Sequence, residues 1–231
     1  MNSCSVDESG SVNLTCASGA NFCTDGVLVA AGRRSNTDEL NLADAGVVCG
    51  ERGLLKVDAQ FRTNVPHIYA VGDVIGFPAL ASTSAEQGRV AMCHACEQEA
   101  YAVAAPILPT GIYTIPEVSM VGETEESLRA QGIAYIVGHA SSARNARGMI
   151  IGDQDGRLKL LFRRGDMKLL GAHVMGEHAS EVIHIALIIM VAGHGADLLF
   201  ETCFNYPTLG DLYKQATYSA MTAQQASRPH P

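Results

Sequence analysis

A chain of 231 residues, 47% of them hydrophobic types, can bury one large core or two modest ones, so a soluble globular fold is expected. Its 24 acidic against 16 basic residues leave a formal charge of -8, and no stretch gathers Lys or Arg into a stripe along which phosphates could run, which argues against a nucleic acid partner. The most apolar run, Val182 to Ala192, is interrupted by His184 and falls well short of the about 20 residues that a membrane-spanning helix requires, and Met1 to Gly10 has neither the basic nor the apolar region of a secretory signal, so a cytoplasmic location is expected.

In chain order, Gly10 to Ser18 alternates side-chain character with period two, Gly19 to Asn21 turns the chain, and Gly26 to Gly32 is a continuous apolar run. The pattern predicts a hairpin leading into a buried strand. A polar connection over Asn36 to Gly46 precedes a second hairpin, in which Val47 to Cys49 and Leu54 to Asp58 flank the turn Gly50 to Gly53. His67 to Gly72 reads as a short strand ending at Gly72-Asp73, followed by a glycine-bearing loop and a long helix from near Ser82. Pro106, Pro109 and Gly111 then interrupt any regular element, which divides the chain into a region 1–105 and a domain 106–231.

The second part has a different rhythm. Thr124 to Gly132 predicts a short helix, with Thr124 as N-cap, acids in the first turn and glycine at the end. Met149 to Gly152, Arg157 to Phe162 and Lys168 to Met175, separated by turn residues, predict an antiparallel meander, and helices are expected over about 178–192 and 208–222. Strands followed by helices without β-α-β alternation indicate an α+β domain.

Several potential sites have ordinary explanations. Cys4, Cys16, Cys23, Cys49, Cys93, Cys96 and Cys203 are odd in number and irregular in spacing, unlike a disulfide scaffold, and Cys93-x-x-Cys96 supplies half of a closed zinc shell. His178, Glu181 and His184 share a helix face, but a carboxylate-bridged metal pair needs two Glu-x-x-His motifs and two more glutamates, so no metal is expected. Arg144 and Arg147 could contact a phosphate; a solvated loop is the commoner reason for two such arginines.

The most informative stretch is Thr63-Asn-Val-Pro-His-Ile-Tyr-Ala-Val-Gly72-Asp73. Every specified position matches the T-x-x-P-x-I-Y-A-x-G-D pattern of the flavoprotein pyridine nucleotide-disulfide oxidoreductases, whereas Gly72-Asp73 alone would be an ordinary strand-terminating turn. Upstream, Val27 to Thr37 is similar to the family's A-x-G-R-x-x-N-T marker. Downstream, the resemblance runs through Gly111 to Thr124 and Cys203 to Thr208, covering nearly the whole chain from about Gly10.

The resemblance implies an α/β remnant of an FAD/NAD(P)-binding domain followed by an α+β dimerisation domain with an antiparallel sheet and helices, and hence a homodimer. It implies that Asp73 accepts a hydrogen bond from the FAD ribityl chain, that Gly72 lets the backbone approach the cofactor, that Ala79, Leu80, Ala81 and Ser82 bring helix amides to the flavin's pyrimidine end, and that Gly32 lies near NAD. In the family's disulfide reductases a histidine positioned by a glutamate serves thiol exchange; here Tyr206 and Asp211 occupy those positions. A phenol does not shuttle protons near neutrality as an imidazole does, and direct hydride transfer needs no thiol relay. Phe-Asn-Tyr206-Pro207-Thr resembles the family's soluble transhydrogenases, which implies hydride transfer between NADPH and NAD with FAD as relay, and a cis bond before Pro207. A flavin disulfide reductase of the dihydrolipoamide or mercuric type and a non-catalytic homodimerisation module are the alternatives.

The family also uses two G-x-G-x-x-G loops to hold dinucleotide phosphates, and neither pattern occurs in these residues. The chain is therefore expected to be a C-terminal portion, inactive and weak in flavin binding by itself. The choice between NAD and NADP is set by residues outside it.

Overall fold

In the computed structural model, which describes residues 2–98, 101 and 103–226, the chain begins with three short antiparallel strands: β1 (Ser3–Val6), β2 (Val12–Thr15) and β3 (Asn21–Thr24), in that spatial order. Asp7 closes the first turn, its Oδ1 accepting from the backbone N–H groups of Ser9 and Ser11. The sheet is thin, since β1 and β3 are exposed along their whole length, and this explains why β1 carries no apolar period in the sequence.

The apolar run that follows departs from expectation. Residues 26–32 form no strand, and Leu28 is 92% exposed. A continuous apolar strand is stable when both faces are covered and both edges paired, and no described element offers either. The second predicted hairpin is reduced to one antiparallel bridge, Cys49 with Leu55, around a 3-10 turn at Glu51–Gly53. The predicted strand at 67–72 is likewise one bridge, Tyr69 with Arg62. A cluster of Val47, Leu55 and Ala70 is all that this region buries deeply among its apolar residues before the long helix α1 (Ala81–Ala95).

Arg89 ties the connection beyond α1 back to the helix, donating to the carbonyls of Tyr101 and Val103. Beyond it come β4 (Thr110–Ile112), β5 (Glu117–Gly122), α2 (Glu125–Ala130), β6 (Tyr135–Ser141), α3 (Ala146–Ile151), β7 (Arg157–Arg163) and β8 (Leu169–Gly176). The helices α4 (Ala179–Val191), α5 (Ala196–Glu201) and α6 (Leu212–Ala226) close the chain. The five strands form one antiparallel sheet in the order β4-β5-β8-β7-β6, and α4 and α6 pack on it. Leu158, Leu160 and Phe162 of β7, Ile183 of α4, Leu199 of α5 and Tyr213 of α6 are buried together. At about 1.5–3 kcal/mol for each large apolar side chain, this core supplies most of the hydrophobic stabilisation of the chain.

The helix at Thr124 is capped as expected: Thr124 and Ser127 exchange side-chain and backbone hydrogen bonds. The segment predicted as a strand at 149–152 is instead the end of α3. Asn145 Oδ1 accepts from the N–H groups of Arg147 and Gly148, and Gly152 ends the helix at φ +77°. A cap and a left-handed stop with six residues between them select a helical turn over the weak strand preference of Ile150 and Ile151. The first strand of the meander is β6, and α5 lies between the two helices expected at the end of the chain. The Tyr206–Pro207 bond is cis.

Candidate functional site

The two marker segments end at one cleft. The first brings Gly32, at φ +94°, and Arg33; the second brings Asp73, which opens the turn from the last bridge of the predicted strand into the loop before α1. Arg33 Nη1 lies 2.5 Å from Asp73 Oδ2, and the carboxylate remains 44% exposed. With Asn36, Arg52 and Ala79 these residues line an open cleft of about 640 Å³.

Gly72 supports the cleft from behind. It is buried at φ +76°, its N–H donates to Gln87 Oε1 at 2.7 Å, and a Cβ there would stand 3.0 Å from Ser84 Oγ. Only glycine meets both the left-handed backbone and the close approach of α1 without strain. Ala79, at φ +49°, turns the chain into Leu80, the N-cap of α1, and no side chain caps the helix. The first amides of α1, at Ala81 and Ser82, are therefore not taken by a cap and carry the positive end of the helix dipole.

Of the residues singled out from the sequence, Gly32, Asp73 and Ala79 share the cleft, Gly72 lies behind it, and Leu80, Ala81 and Ser82 form the helix start that follows. Tyr206 and Asp211 do not line it. Tyr206 is 75% exposed, Asp211 accepts from Gln215 Nε2 at 2.8 Å, and no hydrogen bond joins the two among the described residues. Within the chain, Tyr206 and Asp211 therefore do not pair with each other. Sequence reasoning missed Arg33, Arg52 and Gln87 as site residues. Arg33 stands inside the first marker and was legible there, whereas Arg52 and Gln87 reach the cleft region through a turn tip and a helix face that carry no motif.

All seven cysteines are free thiols. Among the described residues no group of three or more His, Cys, Asp or Glu side chains is placed to hold a metal ion, and no helix is long and apolar enough to cross a membrane. His184 and Glu181, which share a helix face as expected, meet only through the His184 ring and the Glu181 carbonyl.

Comparison with known proteins gives two matches to one family: pyridine nucleotide-disulphide oxidoreductase over residues 2–88, and the dimerisation domain of pyridine nucleotide-disulphide oxidoreductases over residues 108–217. The soluble pyridine nucleotide transhydrogenase of Mycobacterium tuberculosis is 46% identical over 221 residues, 96% of this chain and 47% of the relative. That of Citrobacter koseri is 44% identical over 207 residues, covering 88% of this chain and 44% of the relative. Among solved structures, the HOCl-induced flavoprotein disulfide reductase RclA from Escherichia coli superposes with a TM-score of 0.84 at 26% identity, over 93% of this chain and 49% of that one. LpdA from Mycobacterium tuberculosis superposes with a TM-score of 0.81 at 28% identity, over 94% and 47%. The chain spans about half the length of the relatives it matches.

Proposed function

Because the chain belongs to the pyridine nucleotide-disulphide oxidoreductase family, we propose that it supplies the flavin-arm groove and the dimerisation domain of a soluble pyridine nucleotide transhydrogenase, a cytoplasmic homodimer that passes hydride reversibly between NADPH and NAD. The observation that carries this reading is the half-exposed Asp73 carboxylate in a cleft shared with Gly32 and Ala79. In this reading residues 1–105 are the remainder of the FAD/NAD(P)-binding region and residues 106–231 form the dimerisation domain.

The residues fit a flavin. Bound FAD supplies a centre that takes hydride from one nicotinamide and returns it to another. Asp73 accepts hydrogen bonds from hydroxyls of the ribityl arm. Gly72 lets α1 pack closely behind Asp73, and the uncapped amides at Ala81 and Ser82, reached through Ala79 and Leu80, face the electron-rich pyrimidine edge. Gly32 leaves space on the nicotinamide side. Tyr206 and Asp211 hold no proton relay, which suits hydride transfer and disfavours disulfide reduction.

The phosphate-binding loops of the cofactor are not among these residues, so the chain alone binds FAD weakly or not at all. The test is a fusion of a relative's front half to this chain, assayed for hydride transfer from NADPH to thio-NAD and for reduction of a disulfide. Transhydrogenation without disulfide reduction is expected. Disulfide reduction without transfer to thio-NAD would overturn the reading, as would stoichiometric yellow FAD on the chain alone for its inactivity.

A further inference from the structure

A second cleft lies at the free edge of the five-stranded sheet, about 470 Å³ in volume and lined by His139, Ser141, Arg144, Arg157 and Gln215 together with Ala140. Alternation along β6 puts the side chains of His139 and Ser141 on one face, and Ser141 pairs directly with Arg157 of β7, so hydroxyl and guanidinium stand side by side. The 3-10 turn after β6 adds Arg144, and the first turn of α6 adds Gln215.

The wall is rich in donors and contains no carboxylate. Arg157 Nη1 is fixed by Ser141 Oγ at 2.9 Å and by the carbonyls of Gln154 and Gly156 at 3.1 and 2.7 Å, and its Nε and Nη2 have no protein acceptor among the described residues. Arg144 has no ion-pair partner among them either. In an acidic chain, Arg33, Arg34, Arg62, Arg89, Arg129 and Arg163 all face carboxylates, whereas Arg144 and Arg157, like Arg52 and Arg147, do not, and this cleft gathers two such guanidinium groups. The same loop holds a further spare donor, Asn145 Nδ2, buried without a partner. Asp211, the acid closest in sequence to Gln215, is occupied by its amide.

We propose that this cleft is an anion site that takes the phosphate group of a small soluble phosphorylated ligand. A planar guanidinium whose orientation is already set by three protein acceptors presents its remaining N–H groups to phosphate oxygens at little further entropic cost, and Arg144 closes on the same group from the turn. Ser141, accepting from Arg157, has its hydroxyl hydrogen left to donate. The site shares no lining residue with the Asp73 cleft, so the proposal stands apart from the flavin reading.

The test is calorimetric titration of the chain with pyrophosphate and with phenyl phosphate, ionic strength being held constant with chloride. Saturable one-to-one binding of both is expected. Arg144→Ala should weaken it about tenfold or more, the value of one charge-assisted hydrogen bond, with unchanged thermal stability. Arg157→Lys, which keeps the charge and loses the fork, should weaken it several-fold, and Arg52→Ala in the other cleft should leave it unchanged. Heat that does not saturate, binding abolished equally by chloride, or equal affinity in Arg144→Ala and the parent chain would each overturn the proposal.

Discussion

Arg33 Nη1 and Asp73 Oδ2 meet at 2.5 Å, joining the ends of two motifs that stand 40 residues apart in the chain. The pair is exposed, so its own worth is about 0–1 kcal/mol, whereas a hydrogen bond from a hydroxyl to a carboxylate contributes about 1.5–3 kcal/mol. In the fusion with a relative's front half, Asp73→Asn should therefore lower FAD retention by about tenfold or more, and Arg33→Ala by no more than about fivefold. Flavin absorbance after gel filtration at graded FAD concentrations measures both. Equal losses in the two variants would mean that the ion pair, and not the carboxylate as acceptor, holds the site.

Packing of the second domain turns on Gly138. A Cβ at this position of β6 would lie 2.1 Å from the Ala216 carbonyl oxygen and 3.0 Å from the Ala220 side chain, both on α6. Gly138→Ala must push helix and strand apart, at a cost of about 1–3 kcal/mol or more. Denaturant unfolding monitored by circular dichroism should show a lower midpoint. A value within 0.5 M of the parent would contradict so close an approach, since about 2 kcal/mol divided by a urea slope of about 2 kcal/mol/M shifts the midpoint by about 1 M.

The elements that were legible in the sequence are those whose partners lie within the described chain. β7, β8, α4 and α6 announce themselves by apolar period and pair with one another. The run at 26–32 announced itself equally strongly and yet forms no strand, because period specifies a face and cannot supply the neighbour that covers it. At 149–152 the local preference of Ile150 and Ile151 lost to a cap at Asn145 and a stop at Gly152, features that a strand-period reading overlooks. In the site, Asp73, Gly72 and Gly32 were legible as motif residues. Arg52 was not, since it reaches the cleft from the tip of a turn at φ +58° and shares no period with its neighbours.

Glu117 gives the second domain an acid sensitivity. Its Oε2 accepts from the backbone N–H of Ser180 at 3.1 Å and from Ser180 Oγ at 2.8 Å, and these bonds, the backbone one foremost, hold its carboxyl below the ordinary glutamate range. The folded state therefore binds its proton less readily than the unfolded state. The stabilisation is complete above the ordinary glutamate value of about 4.3 and is lost as pH falls through the lower folded value. At this solvent-screened position the effect is about 1 kcal/mol. Between about pH 5 and pH 3 the parent chain should lose more thermal stability than Glu117→Gln, whose side chain has no proton to gain. Parallel curves for the two would show that the Ser180 bonds contribute nothing charge-dependent.

Tyr213 sets the opposite limit of pH. Its side chain is fully buried, and its hydroxyl donates to the Val182 carbonyl at 2.9 Å, fastening α6 to α4 through the centre of the core. Burial raises its phenol well above the ordinary tyrosine range, because a phenolate there would lose its hydration. Below about pH 10 both folded and unfolded chains keep the proton and the stabilisation is whole; above it the unfolded chain releases the proton while the folded chain retains it, so stability declines as pH rises toward the folded value. Tyr213→Phe should lower stability at neutral pH by about 1 kcal/mol, for the lost hydrogen bond, and should flatten the decline above pH 10. Tyr213→Ala, which empties the site, should cost about 3–5 kcal/mol. Thermal unfolding of the three proteins at neutral and alkaline pH separates the two contributions: equal alkaline slopes in the parent and Tyr213→Phe would show that this phenol is not the group protected by the core.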